Sequence, residues 1–319
     1  MSSGGEATGP VEAVSVSAVI ATIGGRPELL RAAIASIFDQ RASDGRPWRL
    51  EVIVVFDHVE PHDLSDVSVP DGSRLRVVRN EGPRGLAGGR NTGIRAASAA
   101  VVGLCDDDDA WLPGKLAAQL PLLQAHPEAK AVAGSMLVRT GGKDVLRAAP
   151  ERVGLPELLR SRVQEIHPSA LMYRRAELLG ELGLVDERLP HGYGEDYDMM
   201  LRAGKLGGIV CVDQPVVRVL WDRPSYFMGK WRSVAEGLSY LLEKFPEFEQ
   251  DPRGLSRMAG QIAYARAALG ERAVAWDWAK TALRHDRTQL RAWAALAVAG
   301  RVLPAGWVLA AVQRTGHGL

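Results

Sequence analysis

Four consecutive aspartates, Asp106 to Asp109, follow the apolar run Val101–Cys105 and precede Ala-Trp-Leu-Pro. Adjacent carboxylates repel one another, so gathering them costs free energy unless a cation compensates. Hard oxygen donors select Mg²⁺ or Mn²⁺. On an extended segment alternate residues share a face, which pairs Asp106 with Asp108 as a D-x-D arrangement. The plain alternative is a solvated acidic turn, with Asp109 capping a helix that begins near Pro113. A second acidic group, Gly194-Glu195-Asp196-Tyr197-Asp198, opens a helical pattern. One of its carboxylates suits a general base, although the helix dipole alone also favours acids there. Asp57 ends another apolar run, where it can accept the imide N–H of a pyrimidine base or simply close an Asx-turn. Between these lies a segment holding Gly82, Gly85, Gly88, Gly89 and Gly93. Glycines let backbone approach a phosphate, and Arg84 and Arg90 can pair with one. The segment has neither the P-loop Lys-Ser/Thr nor the G-x-G-x-x-G spacing.

The elements that must position these groups follow from periodicity. Val14–Ile20, Leu50–Phe56, Leu75–Arg79 and Val101–Cys105 read as strands. Pro27 opens a helix whose Leu30, Ile34, Ile37 and Phe38 fall on one face. A second helix is expected over about Arg90–Ala99. This alternation predicts a mostly parallel α/β sheet with helices on both faces. In such sheets ligands lie beyond the carboxyl ends of the strands, which is where Asp57 and Asp106–Asp109 stand. Farther on, Ala131–Arg139 and His167–Tyr173 read as strands, the latter antiparallel. Helices follow at Arg175–Leu182 and Glu195–Leu206, then short strands at Ile209–Val212 and Val216–Trp221. From about Ser225 the chain is helical and rich in Ala, Leu and Trp.

Composition narrows the function classes. The chain has 319 residues, with 39 Lys+Arg against 38 Asp+Glu and a net charge of +1. That balance argues against a nucleic-acid partner. At 46% hydrophobic and 24% charged it is a globular chain. Cys105 and Cys211 make neither a disulfide framework nor a zinc site, and with no visible signal peptide a cytoplasmic location is expected.

The segments VSAVIATIGGRPELLRAAIASIFDQ, EVIVVFD, RNEGPRGLAGGRNTGI, GLCDDDDAWLPGKL and GEDYDMMLRAG occur in this order. As a set, over Val14–Trp221, they resemble the family 2 glycosyltransferases, inverting enzymes of the GT-A fold. The resemblance implies a role for each matching position. Ala21 and Thr22 would line the nucleotide pocket and Asp57 would recognise the base. Arg26, Arg84, Arg90, Asn91 and Asp107 would belong to the donor site, with the two later arginines near sugar and diphosphate. Asp106 and Asp108 would form the D-x-D, with Asp108 the foremost metal ligand for Mg²⁺ or Mn²⁺. Asp196 would be the catalytic base and Glu195 its neighbour at the acceptor or donor. The implied reaction moves a sugar from a nucleoside-diphosphate sugar to a hydroxyl on a glycan, a lipid-linked intermediate or a small natural product.

The sequence departs from the family pattern in places. Phe56-Asp57 stands where two acids are usual, and Ala21-Thr22-Ile23-Gly24 replaces Pro-Thr-Tyr-Asn. Trp221-Asp222 occupies the place of a frequent His, so a histidine metal ligand is not evident. His167, His191 and Trp221 are candidates for the acceptor side. Trp111 is expected to pack beneath the acidic segment, and Trp276, Trp278 and Trp293 between helices. Two other functions use similar acids: a nucleotidyltransferase, which releases pyrophosphate, and a non-catalytic nucleotide-sugar-binding module.

Residues 1–12 read as a disordered lead-in, 13–224 as a GT-A catalytic domain and 225–319 as a helical extension. Within the extension, Ile262–Arg287 reads as a helical hairpin around Gly270. Ala292–Val312 has bilayer-spanning length, but Arg301 near its centre costs ~2.5–3.5 kcal/mol on insertion scales, and Pro304 breaks it. Two short helices are expected. One packs on the domain, and the other lies in a homodimer interface or peripherally on the inner face of a membrane, where Trp307 and Arg314 would suit the interface.

Overall fold

A computed structural model describes residues 15–221, 229–304 and 306. The lead-in, the boundary at 224/225, Asp222 and the Trp307–Arg314 stretch lie outside the described residues. The first strand, β1 (Val16–Thr22), is buried along its whole length, as is β2 (Leu50–Asp57). Continuous β-branched runs of this kind suit the centre of a parallel sheet covered on both faces. Between them α1 (Pro27–Phe38) begins with proline in its first turn and buries Leu30, Ile34, Ile37 and Phe38, the face expected from their spacing. β3 (Arg74–Asn80) is the half-exposed edge beside β2.

The second helix, α2 (Leu86–Ala96), begins four residues before the expected Arg90. Its glycines serve packing. A Cβ on Gly93 would lie 2.3 Å from Val19 Cγ1, and one on Gly88 only 1.8 Å from the Pro83 carbonyl oxygen. Missing side chains therefore let α2 settle onto β1 and its own entry loop, which corrects the phosphate-approach reading of these two positions.

β4 (Val101–Asp106), β5 (Ala110–Trp111), α3 (Lys115–Ala125), β6 (Ala131–Thr140), β7 (Lys143–Arg147), β8 (Arg152–Val153) and α4 (Leu155–Arg160) follow. The strand expected over His167–Tyr173 is instead a 3-10 turn, Pro168–Ala170, and the three-residue β9 (Met172–Arg174). Pro168 removes a ladder donor and opens the turn. β9 lies antiparallel between β4 and β6. After α5 (Arg175–Leu179), α6 (Glu195–Leu206) occupies the expected residues. The two short strands expected next are one, β10 (Ile209–Leu220), whose register shifts on either side of Pro215. The sheet path runs β3-β2-β1-β4-β9-β6-β10-β5, with β7 on β6 and β8 on β10. The pairs β1–β2, β2–β3, β1–β4 and β6–β10 are parallel.

Apolar clusters cover both faces. One joins β1 and β2 to α1 and α3 through Ile20, Ile34, Ile37, Leu116 and Leu123. The other runs from Val19 and Leu104 through Tyr197 and Leu201 of α6. It continues without a break into Leu238 and Leu241 of α7 (Trp231–Lys244), then Met258 and Ile262 of α8 (Pro252–Ala268). The expected hairpin is α8 and α9 (Arg272–His285), which turn at Gly270 with φ +79°. α10 (Leu290–Ala299) packs on both through alanines, including Ala263, Ala279 and Ala295. Trp278 packs there, but Trp276 and Trp293 are exposed, contrary to the expected helix–helix packing. Among the described residues no helix is long and apolar enough to cross a membrane.

Alanine at a helix position normally gains about 1 kcal/mol over glycine. At Gly93 the clash with Val19 reverses the sign. Gly93→Ala is expected to lose about 1–3 kcal/mol of stability through overpacking, measured as a shifted urea midpoint.

Candidate active site

β4 delivers Asp106 to the sheet edge, and the chain then turns sharply. The Asp109 N–H donates to the Asp106 carbonyl at 3.2 Å. A turn of this kind brings residues i and i+3 together, so Asp106 is placed with Asp109 and not with Asp108. The Asp109 carboxylate accepts from Ser169 Oγ at 2.5 Å and lies 3.2 Å from His167 Nδ1. Asp106, Asp109 and His167 each offer a ligand atom, all within 4.8 Å of one another. Two carboxylates and an imidazole at this separation fit a divalent cation. A histidine is thus available at the start of the 3-10 turn, not from the Trp221 region where the family pattern pointed, and His167 is grouped with Asp106 and Asp109. Asp107 and Asp108 face elsewhere. Both pair with Arg26, and Asp107 also accepts from Thr22 Oγ1. Burial, aided by Asp109, pushes the Asp108 carboxyl up to about 6. For His167 burial opposes the charge, but Asp109 and Asp106 outweigh it and raise the imidazole to about 9.

Arg90, brought in by α2, is almost wholly buried. It donates to Asp106 at 2.7 Å and to Glu195 at 3.0 Å, tying the acidic turn to the start of α6. Burial, then the Asp196 charge, lift Glu195 to about 7 despite that pairing. Asp196 behaves oppositely. Both its oxygens accept from Arg162 Nη2 at 2.6 Å, and the Tyr197 N–H donates to Oδ1 at 2.8 Å. Burial works against its charge, yet Arg162 holds the carboxyl below its ordinary range. Adjacent acids are thus driven apart, one toward neutrality and one toward permanent charge.

The remaining candidates are placed as follows. Asp57 is buried, and its oxygens accept from Asn80 Nδ2 at 2.6 Å and the Gly85 N–H at 2.8 Å. Each oxygen keeps a lone pair for a further donor. Ala21 is buried near the end of β1, in register with Val55 of β2 and Asp106 of β4, and Arg84 is exposed just before α2. Asn91 is turned inward, bonded to both backbone groups of Val185 and to Glu187, which makes it a strut under the site rather than a donor contact. His191 is exposed, has φ +57° and lies 3.0 Å from Glu236. Trp221 is exposed with the Arg147 guanidinium 5.5 Å from its ring centre. Among the described residues, neither of them bonds to the acidic turn.

Sequence reasoning missed Arg162 and Lys115. Lys115 is fully buried. Its Nζ donates to the carbonyls of Ser169 and Ala170 at 3.2 and 3.1 Å, 4.8 Å from the centre of the Trp111 ring. Burial without a carboxylate partner lowers it to about 7. It anchors the turn that carries Ser169, and Trp111 is buried below the acidic segment as expected. Val163, next to Arg162, has φ +48°, a left-handed conformation that side chains disfavour. Nothing in local periodicity marks these positions, because their partners are distant in sequence.

The fold and this edge of acids define a GT-A nucleotide-sugar transferase architecture. Residues 17–176, half the chain, match the model described as Glycosyl transferase family 2. The chain belongs to that family. It is 30% identical over 94 residues to an Escherichia coli UDP-Glc:alpha-D-GlcNAc-diphosphoundecaprenol beta-1,3-glucosyltransferase, WfgD. That match covers 30% of this chain and 35% of the relative, so the chain spans about a third of that protein's length. The S. aureus protein TarS (residues 1–349) superposes with a TM-score of 0.54 at 15% identity, over 95% of this chain and 92% of that one. The Pyrobaculum calidifontis mannosyltransferase PcManGT, in complex with GDP-Man and Mn²⁺, has a TM-score of 0.55 at 20% identity, over 91% and 87% of the two chains. At these identities the two structures establish the fold.

Removing one partner of a buried ion cluster strands the others at a cost of about 3–5 kcal/mol. Arg90→Met is expected to lose stability of that order in denaturant titration. The His167–Asp109 pair gives a separate signature. His167 is raised from 6.5 to about 9, so its stabilisation is fully present below pH 6.5 and lost as pH rises through 9. The melting-temperature gap between the wild type and His167→Gln is therefore expected to shrink over that window, measured without divalent metal.

Proposed function

We propose that the chain is a metal-dependent inverting glycosyltransferase that moves a sugar from a nucleoside-diphosphate sugar to a hydroxyl acceptor. In this reading residues 13–224 form the transferase domain and 225–319 its helical extension. The observation that carries the proposal is the contact of Arg162 with both oxygens of Asp196, next to the Glu195 that Arg90 ties to the Asp106–Asp109–His167 cluster. Asp106, Asp109 and His167 would hold Mg²⁺ or Mn²⁺, and Asp108 would join on releasing Arg26. The cation would neutralise the departing diphosphate. Support for a nucleotide-sugar donor comes from relatives: TarS has been seen with UDP-GlcNAc, PcManGT with GDP-Man and Mn²⁺, and WfgD is named for UDP-Glc.

The chain's own residues then divide the work. Arg162 keeps Asp196 ionised and aimed by a two-oxygen contact, so it is ready to take the acceptor proton. A single displacement from the face opposite the leaving group inverts the anomeric centre, and no enzyme nucleophile is required. Arg90 fixes the distance between acidic turn and base. The spare lone pairs of Asp57 would receive the donor's base, and exposed Arg84 would meet the diphosphate. With a lipid-linked acceptor, as in the name of WfgD, the enzyme would work peripherally at the inner face of the membrane.

Loss of a general base typically costs 10²–10⁴ in rate. Asp196→Asn is expected to lose transfer by about that factor while donor affinity in titration calorimetry is retained. Arg162→Gln should raise the acid limb of the kcat/KM profile, because the cation that depresses Asp196 is gone. Full activity of Asp196→Asn would overturn the base assignment. Release of pyrophosphate in place of a nucleoside diphosphate would identify a nucleotidyltransferase.

A further inference from the structure

The sheet does not end at the edge that carries the acids. Gly103 of β4 and Val132 of β6 both pair with Met172 of β9, which puts Asp106 level with Ser135. β6 runs on to Thr140, β7 returns beside it, and β10 accompanies it with Leu220 opposite Arg139. Trp221 is the next residue, level with Thr140. From Ser135 to Thr140 is five residues, so Trp221 stands ~16 Å past the level of Asp106 at the rise of an extended strand. The three strands thus form a wall beyond the acidic turn. Residues paired across neighbouring strands share a face of the sheet. One face of the wall carries Met136, Val138, Val217 and Val219, clustered with Ala170 of the 3-10 turn that follows His167. Trp221, two positions beyond Val219, continues that face, and Arg147, opposite Met136, lies on it too. The 5.5 Å between the Arg147 guanidinium and the centre of the Trp221 ring agrees with this placement. On the reverse face Asp144 accepts from Arg139 at 3.0 Å and from Arg218 at 3.1 Å, bracing β7, β6 and β10 together.

The far part of the first face is open. Trp221 is 43% exposed and Val145, on the same face, 44%. Arg147 is exposed and, among the described residues, pairs with no carboxylate. A braced, exposed indole offers a flat apolar surface, and the guanidinium beside it offers donors. Position decides what reaches them. The sheet order puts β2, with Asp57, on one side of β4, and β6, β7 and β10 on the other. In the transferase reading the donor's base lies at Asp57, so the wall borders the acceptor. A pyranose ring fits this chemistry. Its C–H face is apolar and can lie on the indole, while the hydroxyls of its rim accept from Arg147.

Resting on the transferase reading above, we propose that Trp221 and Arg147 form a saccharide subsite, which holds a sugar ring of the acceptor beyond the one that receives the transferred residue. The acceptor is then an oligosaccharide or glycan chain and not a small natural product with a single hydroxyl to offer.

The test uses the full chain labelled with 5-fluorotryptophan, in which the Trp221 fluorine resonance is assigned by its loss in Trp221→Phe. Cellotriose, chitotriose and mannotriose are titrated in turn, with UDP and GDP as controls. At least one trisaccharide is expected to move the Trp221 resonance saturably and to leave Trp276 and Trp293, which are also exposed, in place. No response to any of the three, or an equal response from all three tryptophans, would overturn the subsite. A shift with UDP or GDP as large as that with sugar would make the indole a nucleobase platform and overturn it as well. In calorimetry Trp221→Ala should weaken binding of the responding trisaccharide by about tenfold or more, the scale of a lost aromatic contact. Trp221→Phe should weaken it less, and Arg147→Gln should also weaken it. Unchanged affinity in Trp221→Ala would again overturn the subsite. Both side chains are exposed, so an unaltered melting temperature is expected in these variants and separates lost binding from unfolding. The two proposals fail separately. Nucleotide binding to the wild type with no trisaccharide response removes the subsite alone. Trisaccharide binding with no nucleoside diphosphate or nucleotide sugar bound removes the transferase reading.

Discussion

The site depends on a single buried cation. Arg90 comes from α2, Asp106 from the end of β4 and Glu195 from the start of α6, 16 and 105 residues away along the chain. Desolvating each of these ions alone would cost several kcal/mol. None is therefore tolerable where it sits without the others, and the three elements are held in one relative position. That arrangement sets where the acidic turn stands with respect to Asp196, the distance that the proposed displacement needs fixed.

Less conspicuous parts keep this ion cluster in place. α2 can carry Arg90 inward because Gly89 and Gly93 let it lie close on β1, and Gly88 close on its own entry loop. Ser169 gives its hydroxyl to Asp109 and accepts the Asp106 N–H, so one side chain binds both ends of the acidic turn. Beneath it Lys115 holds the carbonyls of the same 3-10 turn. The chain thus places charge on charge, with backbone carbonyls and a hydroxyl taking up what the ion pairs leave over. Arg26 adds a further cation at the mouth, bridging Asp107 and Asp108.

Much of this could be read from residue order, for identifiable reasons. Strands β1, β2 and β4 were legible because buried parallel strands are continuous apolar runs. α1 and α6 were legible because their apolar faces repeat at helical spacing. The acids at the strand ends followed from that alternation. What could not be read was the direction of each carboxylate. Period-two reasoning assumed an extended Asp106–Asp109, whereas a turn reverses the pairing. The start of α2 was misplaced because glycine weakens helical propensity, while close packing on Val19 requires it. Arg162 meets Asp196 across a gap of 34 residues that no local pattern spans.

The alanine contact among α8, α9 and α10 has a consequence beyond cohesion. Ala263, Ala279 and Ala295 present single methyl groups, and Gly260 faces Gln289 with no room for a Cβ. Helices joined by such short side chains approach closely, and their spacing is fixed to within about one methylene. Gln261 and Arg291, on two of these helices, line one cavity of about 190 Å³ beside the start of α6. The gauge of that cavity is set by methyl groups outside its lining, so a larger residue in the alanine seam would retune the opening by remote spacing while leaving every polar group of the lining unaltered.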